Sequence, residues 1–170
     1  MVDGDSAPEL AFQLVAFDHP ESGALHDRYM TEMVIRYGGT PGPVPVEHFV
    51  PPQGAFVLAH LDENAVACGG FRYLRLEVAE IKRMYVDPAV RGRRVGRRLL
   101  RFLEEQAAAA SYTQIWLETG TEQPEAIALY ASAGYRPMDP YGEFRYDPRC
   151  RCFYRTLGAA PDADRRAASA

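Results

Sequence analysis

Apolar residues fall in blocks along the chain, and the spacing within each block names an element. Residues 11–17 (AFQLVAF) are a short apolar run that predicts a strand, and His19 to Ser22 supply turn and capping residues. From 23 to 37, Leu25, Tyr29, Met33 and Tyr37 recur every four residues, with Met30 and Val34 alongside, which is a helical stripe. Residues 38–45 (GGTPGPVP) must be a loop, and 47–50 a short turn. Residues 55–61 and 65–72 pair as strands across Asp62-Glu63-Asn64, the second containing Gly69-Gly70. The next strand, 78–86, stops at Asp87-Pro88. It lacks two-residue alternation, so both its faces are expected to be partly covered. A helix over 94–110 carries Val95, Leu99, Phe102, Leu103, Gln106 and Ala107 on one side. A short strand at 114–118 and a helix at 124–133 follow, with Pro124 in the helix's first turn and Gly134 at its C-cap. Tyr135 opens a closing segment, and 150–157 (CRCFYRTL) is the last strand.

This order predicts an α+β layer arrangement around one mixed sheet. Residues 1–9 and 158–170, polar or rich in Ala, Asp and Arg, are expected to be disordered, leaving 10–157 as one domain. With 47% hydrophobic residues in 170, that domain can bury a real core. A net charge of −4 argues against a general polyanion binder, so nucleic acid is not an expected partner. The arginines are concentrated instead: Arg91, Arg93, Arg94, Arg97, Arg98 and Arg101 lie within eleven residues. Cys68, Cys150 and Cys152 are odd in number, and Cys-Arg-Cys is not a usual zinc spacing. Reduced thiols, no metal and a cytoplasmic location are expected. The first eleven residues lack the pattern of a signal peptide, and no apolar run reaches membrane-spanning length.

The most specific stretch is 86–100, VDPAVRGRRVGRRLL. It reads as a strand end, a turn, a basic glycine loop and a helix start. Such an N-terminus presents unpartnered N–H groups and the positive end of the helix dipole to an anion. A phosphate-binding P-loop fails, because no Lys-Ser/Thr follows Gly96. A dinucleotide fingerprint fails, because the only glycines are Gly92 and Gly96.

Val86-x-Pro88-x-x-Arg91-Gly92-x-x-Val95-Gly96-x-x-Leu99-Leu100 resembles the coenzyme A signature of the GNAT superfamily of N-acetyltransferases, with Arg94 in place of the middle glycine. Ala126-Ile127-x-Leu129-Tyr130-x-x-x-Gly134-Tyr135 resembles the family's closing helix, with Gln123 where asparagine is frequent. Residues 80–86 and 117–120 look most like a small bacterial subgroup. The resemblance covers about residues 10–157. It implies a mostly antiparallel sheet flanked by helices, with a bulged strand splaying from its neighbour to hold acetyl-CoA.

What the resemblance implies is transfer of acetyl from acetyl-CoA to a primary amine, by direct attack in a ternary complex. Its acceptor is a small molecule or, alternatively, a protein lysine or N-terminus; a non-catalytic acyl-CoA-binding module is the other alternative, and a homodimer stays open. The implied cofactor-binding residues are Met84, Tyr85 and Val86 on the strand, Arg91, Gly92, Arg93, Arg94, Val95, Gly96 and Arg97 in the loop, and Gln123. For Arg94, an outward side chain suffices unless the position demands a positive φ, in which case arginine is disfavoured and binding weakened. Tyr130 is the implied general acid, against a plain core role on periodicity alone. Glu80 is the leading base, against a salt bridge to Lys82 or Arg83. Glu118 is the second base candidate, or a site for a cationic substrate. Tyr29, Met33 and Tyr37, with the loops at 38–45 and 141–144, are implied on the substrate side.

Overall fold

The computed structural model describes residues 9–39 and 41–158. The expected disordered ends lie outside them, apart from Glu9 and Gly158. Seven strands form one sheet: β1 (Leu10–Val15), β2 (Ala55–Leu61), β3 (Asn64–Arg75), β4 (Val78–Val86), β5 (Gln114–Gly120), β6 (Arg136–Met138) and β7 (Cys150–Thr156). Their order is β1-β2-β3-β4-β5-β7-β6. Every neighbouring pair is antiparallel except β4 and β5, which run parallel. Among the described residues three α-helices, α1 (Pro20–Tyr37), α2 (Val95–Ala109) and α3 (Pro124–Ser132), complete the α+β fold.

The strands without alternation are the ones covered on both faces. Along β2, Ala55, Val57 and Ala59 join the core under α2, with Leu99, Leu100 and Leu103. The intervening Phe56 and Leu58 join a second core on the opposite face, with Leu25 of α1, Phe49 and Tyr85. Period two places neighbouring residues on opposite faces, so a fully buried run needs a helix on each side.

Several boundaries move. Helix α1 starts at Pro20 rather than 23, because Pro20 suits the first turn and the His19 ring accepts from Glu21 N–H at 3.3 Å. Val34, expected beside the stripe, is exposed. Strand β3 runs on to Arg75, and the closing segment contributes β6, an edge strand whose Pro137 needs no ladder donor. No helix among the described residues is long and apolar enough to cross a membrane.

Two features of β4 shape the site. Its register against β3 slips between Cys68/Tyr85 and Gly70/Lys82, where Arg83 and Met84 of β4 face Gly69 alone on β3, with Arg83 at φ 59°. This is the bulge that the resemblance implied, and it fits the broken alternation. Its pairing with β5 ends at Ile81↔Leu117. Beyond that point the two parallel strands have no paired residues and a V opens between them.

Candidate active site

Two clefts lie beside this opening. The first encloses ≈ 370 Å³ between the end of β4, the loop into α2, and α3. Its wall includes Met84, Tyr85, Val86, Arg91, Gly92, Arg94, Val95, Gly96, Arg97, Gln123 and Tyr130. These are the residues implied for the cofactor, together with the implied acid; only Arg93 lies outside. The second encloses ≈ 280 Å³ and includes Tyr37, the 41–44 loop, Lys82, Arg83, Glu118, Thr119, Gln123, Glu143, Phe144 and Cys150. Tyr29, Met33 and Gln123 belong to both. The clefts therefore meet there, with Tyr37 Oη donating to Gln123 Oε1 at 3.1 Å.

The first cleft has an anion cradle at its mouth. Helix α2 makes its first bond from Arg98 N–H to the Arg94 carbonyl at 3.1 Å. The N–H groups of Val95, Gly96 and Arg97 thus have no helical acceptor. Arg94, the N-cap, supplies no side-chain bond either. It sits at φ 62°, beside Gly92 at φ 80°. The position does demand a left-handed backbone, and arginine occupies it with its side chain exposed. A left-handed L-residue costs about 1–2 kcal/mol, and glycine's extra chain entropy returns about 0.5–1 of that. Arg94→Gly is therefore expected to stabilise the protein by roughly 0.5–1 kcal/mol, read as a higher midpoint in urea unfolding without ligand.

Arg91 turns away from the cradle. Its Nε donates to the Val86 carbonyl at 2.9 Å and its Nη2 to Glu32 at 2.6 Å. Arg36 bonds Glu32 at 2.7 Å and Glu125 at 2.5 Å. The chain Arg91–Glu32–Arg36–Glu125 ties α1 to the loop and to α3. Burial opposes charge on Glu32, but the two arginines outweigh it and hold its pKa below the usual carboxylate range.

Tyr130 is buried against Tyr135 and Phe153. Among the described residues its hydroxyl has one hydrogen-bond contact, Met84 Sδ at 3.9 Å. Sulfur is a weak acceptor, so the proton is free for a stronger one. Burial pushes the Tyr130 pKa well above its ordinary value, which keeps the hydroxyl protonated.

Glu80 lines neither cleft. It is 1% exposed, and its carboxylate is surrounded. Arg72 lies opposite it on β3 and bonds Oε2 at 2.6 Å; Lys82 and Tyr141 reach Oε1 at 3.3 and 3.0 Å. The salt-bridge alternative for Glu80 matches this geometry, with Arg72 and Tyr141 as partners that no local spacing signalled. Glu80→Gln leaves Arg72 and Lys82 without their counter-charge. It is expected to cost roughly 3 kcal/mol of stability and to keep the acidic limb of the pH–rate profile, moved to lower pH because Glu80 contributes to the raised Glu118 pKa. Loss of the profile's acidic limb in that variant would return the base role to Glu80.

Glu118 differs. It is half-buried on the wall of the second cleft, where β5 has left β4. Burial is the main cause of its raised pKa; Lys82 opposes the rise, and Glu80 and Glu143 add to it. Its carboxylate lies against Gly142, where a Cβ would collide with it. The 141–144 loop thus meets both carboxylates, through Tyr141 to Glu80 and Gly142 to Glu118.

An uncapped helix N-terminus, a bulged strand and a splayed parallel pair suit a long phosphorylated thioester, and the sequence comparison agrees. The Acetyltransferase (GNAT) family model matches residues 17–135. The chain belongs to the GNAT family. As a GNAT protein it is an acetyl-CoA-dependent N-acetyltransferase. A relative named IAA acetyltransferase, from Azospirillum brasilense, is 34% identical over 126 residues, which is 70% of this GNAT chain and 82% of the relative. In structure it is similar to an acetyltransferase of the GNAT family from Staphylococcus aureus, with TM-score 0.70 and 19% identity over 87% of this chain and 100% of that one. It is also similar to a GNAT family acetyltransferase from Elizabethkingia anophelis with acetyl-CoA bound, with TM-score 0.66 and 17% identity over 87% and 98% of the two chains.

Proposed function

We propose that this enzyme acetylates the primary amine of a small molecule, in a ternary complex, with Glu118 as base and Tyr130 as acid. The observation that carries the reading is the meeting of the two clefts at Tyr29, Met33 and Gln123. One holds the anion cradle and Tyr130; the other holds Glu118. A volume of ≈ 280 Å³ lies at the small end of ligand pockets and suits a compact amine better than a folded protein segment.

When bound, acetyl-CoA supplies the acyl group as an activated thioester. The N–H groups of Val95, Gly96 and Arg97 bind its pyrophosphate, reinforced by the exposed Arg94 and Arg97 side chains. The free edge of β4 from Met84 to Val86 orients the pantetheine arm, and an N–H there stabilises the thioester oxygen as charge builds on it. The Glu118 carboxylate takes a proton from the substrate ammonium, so that the neutral amine attacks. As the new C–N bond forms and the C–S bond breaks, the Tyr130 hydroxyl gives its proton to the departing sulfur, and the second proton shed by the attacking nitrogen restores the hydroxyl through solvent.

A thiol-release assay with acetyl-CoA tests this against two panels. One contains amino acids, polyamines, aminoglycosides and aromatic amines; the other contains peptides with free N-termini or lysines. Turnover on a member of the first panel is expected. Turnover confined to the peptides overturns the small-molecule reading.

A further inference from the structure

Glu118 has neighbours that acetyl transfer leaves unused. Strand β7 pairs with β5 so that Cys152 stands opposite Glu118 and Cys150 opposite Gly120. Residues two apart on a strand share a face, so both thiols project beside the carboxylate. Their sulfurs are 3.7 Å apart, and Cys150 Sγ is 4.0 Å from Glu118 Oε1. One donor atom from each of the three residues lies within 4.8 Å of the other two. A tetrahedral Zn²⁺, with Zn–S of about 2.3 Å and Zn–O of about 2.0 Å, requires S···S of about 3.8 Å and S···O of about 3.5 Å. The thiols already stand at that spacing; Glu118 Oε1 is about half an ångström beyond it from Cys150, and a carboxylate oxygen lies within 4.8 Å of Cys152 Sγ, so a small turn of the Glu118 side chain closes the set. Cys150 and Glu118 line the second cleft, which gives an entry path and leaves a fourth position open to water. Glu80 and Glu143 set negative potential at Glu118 against the opposing charge of Lys82.

We propose that Glu118, Cys150 and Cys152 form an inhibitory zinc site. Each thiol releases its proton to solvent and donates a lone pair to Zn²⁺; Glu118 adds a carboxylate oxygen and a cleft water completes the set. No electrons are transferred. Cys-Arg-Cys conceals this donor set in the sequence, because the third ligand comes from the neighbouring strand. The binding stands on geometry alone; the inhibition rests on Glu118 being the base.

Cobalt(II) titration of the reduced full-length protein tests the site. A thiolate-to-cobalt charge-transfer band is expected, removed by an equivalent of Zn²⁺. Cys150→Ser and Cys152→Ser, checked for folding by melting temperature, are each expected to weaken zinc at least about tenfold against a chromophoric chelator. Cys152→Ala serves where serine unfolds the strand. Absence of the band, or unchanged affinity in the double variant, overturns the site. In thiol-release assays zinc is expected to stop the wild type, reversibly by chelator, and to spare Cys152→Ser. Saturating zinc without inhibition overturns the inhibitory role and counts against Glu118 as base, while the spectroscopic site stands.

Discussion

Tyr130→Phe is expected to lower kcat by about 10²–10⁴-fold, the usual worth of a positioned acid, while the protein stays folded. The separation of the two effects follows from the surroundings of the side chain. Its ring packs against Tyr135 and Phe153, and phenylalanine keeps that packing. Its hydroxyl loses only a 3.9 Å contact with Met84 Sδ, so no buried polar partner is stranded. Melting temperature and acetyl-CoA binding are expected to change little, and the defect to fall on turnover. Comparing the acetyl-CoA KM with kcat checks this. Full kcat in the variant assigns Tyr130 to the core and the proton to another donor.

Glu118→Gln carries the second large effect. A loss of about 10²–10⁴-fold in kcat/KM is expected, together with loss of the acidic limb of the pH profile. The sign is set by the direction of the shift. Burial and two neighbouring carboxylates raise the Glu118 pKa, so the group is protonated and inactive as a base on the acid side of that raised value. Activity therefore climbs with pH as Glu118 ionises, at higher pH than an ordinary carboxylate allows. Glutamine has the same shape and no titration, so its residual rate tracks only the ionisation of the free amine. Steady-state rates across pH in wild type and variant read this directly. An unchanged limb in Glu118→Gln removes the assignment.

The contrast between the two glutamates shows where reading the chain succeeds. Glu80 lies six residues before Val86 on the strand that feeds the loop, and its position made it the leading base. The structure surrounds its carboxylate with partners from elsewhere in the chain: Arg72 across the β3–β4 ladder and Tyr141 from the closing segment. Glu118 carries no local mark. It becomes accessible because β4 and β5 separate after Ile81↔Leu117, a property of two strands that are 36 residues apart at that pair.

The sequence by itself determined what local forces control. Periodicity placed the helices and most strands, since amphipathic spacing is a property of consecutive residues. Glycine spacing and a basic helix start marked the anion cradle, since an uncapped N-terminus binds anions wherever it sits. Broken alternation in 78–86 marked the strand with two covered faces. Only the tertiary structure decided the strand order, the V between β4 and β5, the left-handed backbone at Arg94, and which carboxylate meets the cleft. Each of these depends on register and pairing between distant segments. A one-residue slip there exchanges the faces of a strand and would remake the site.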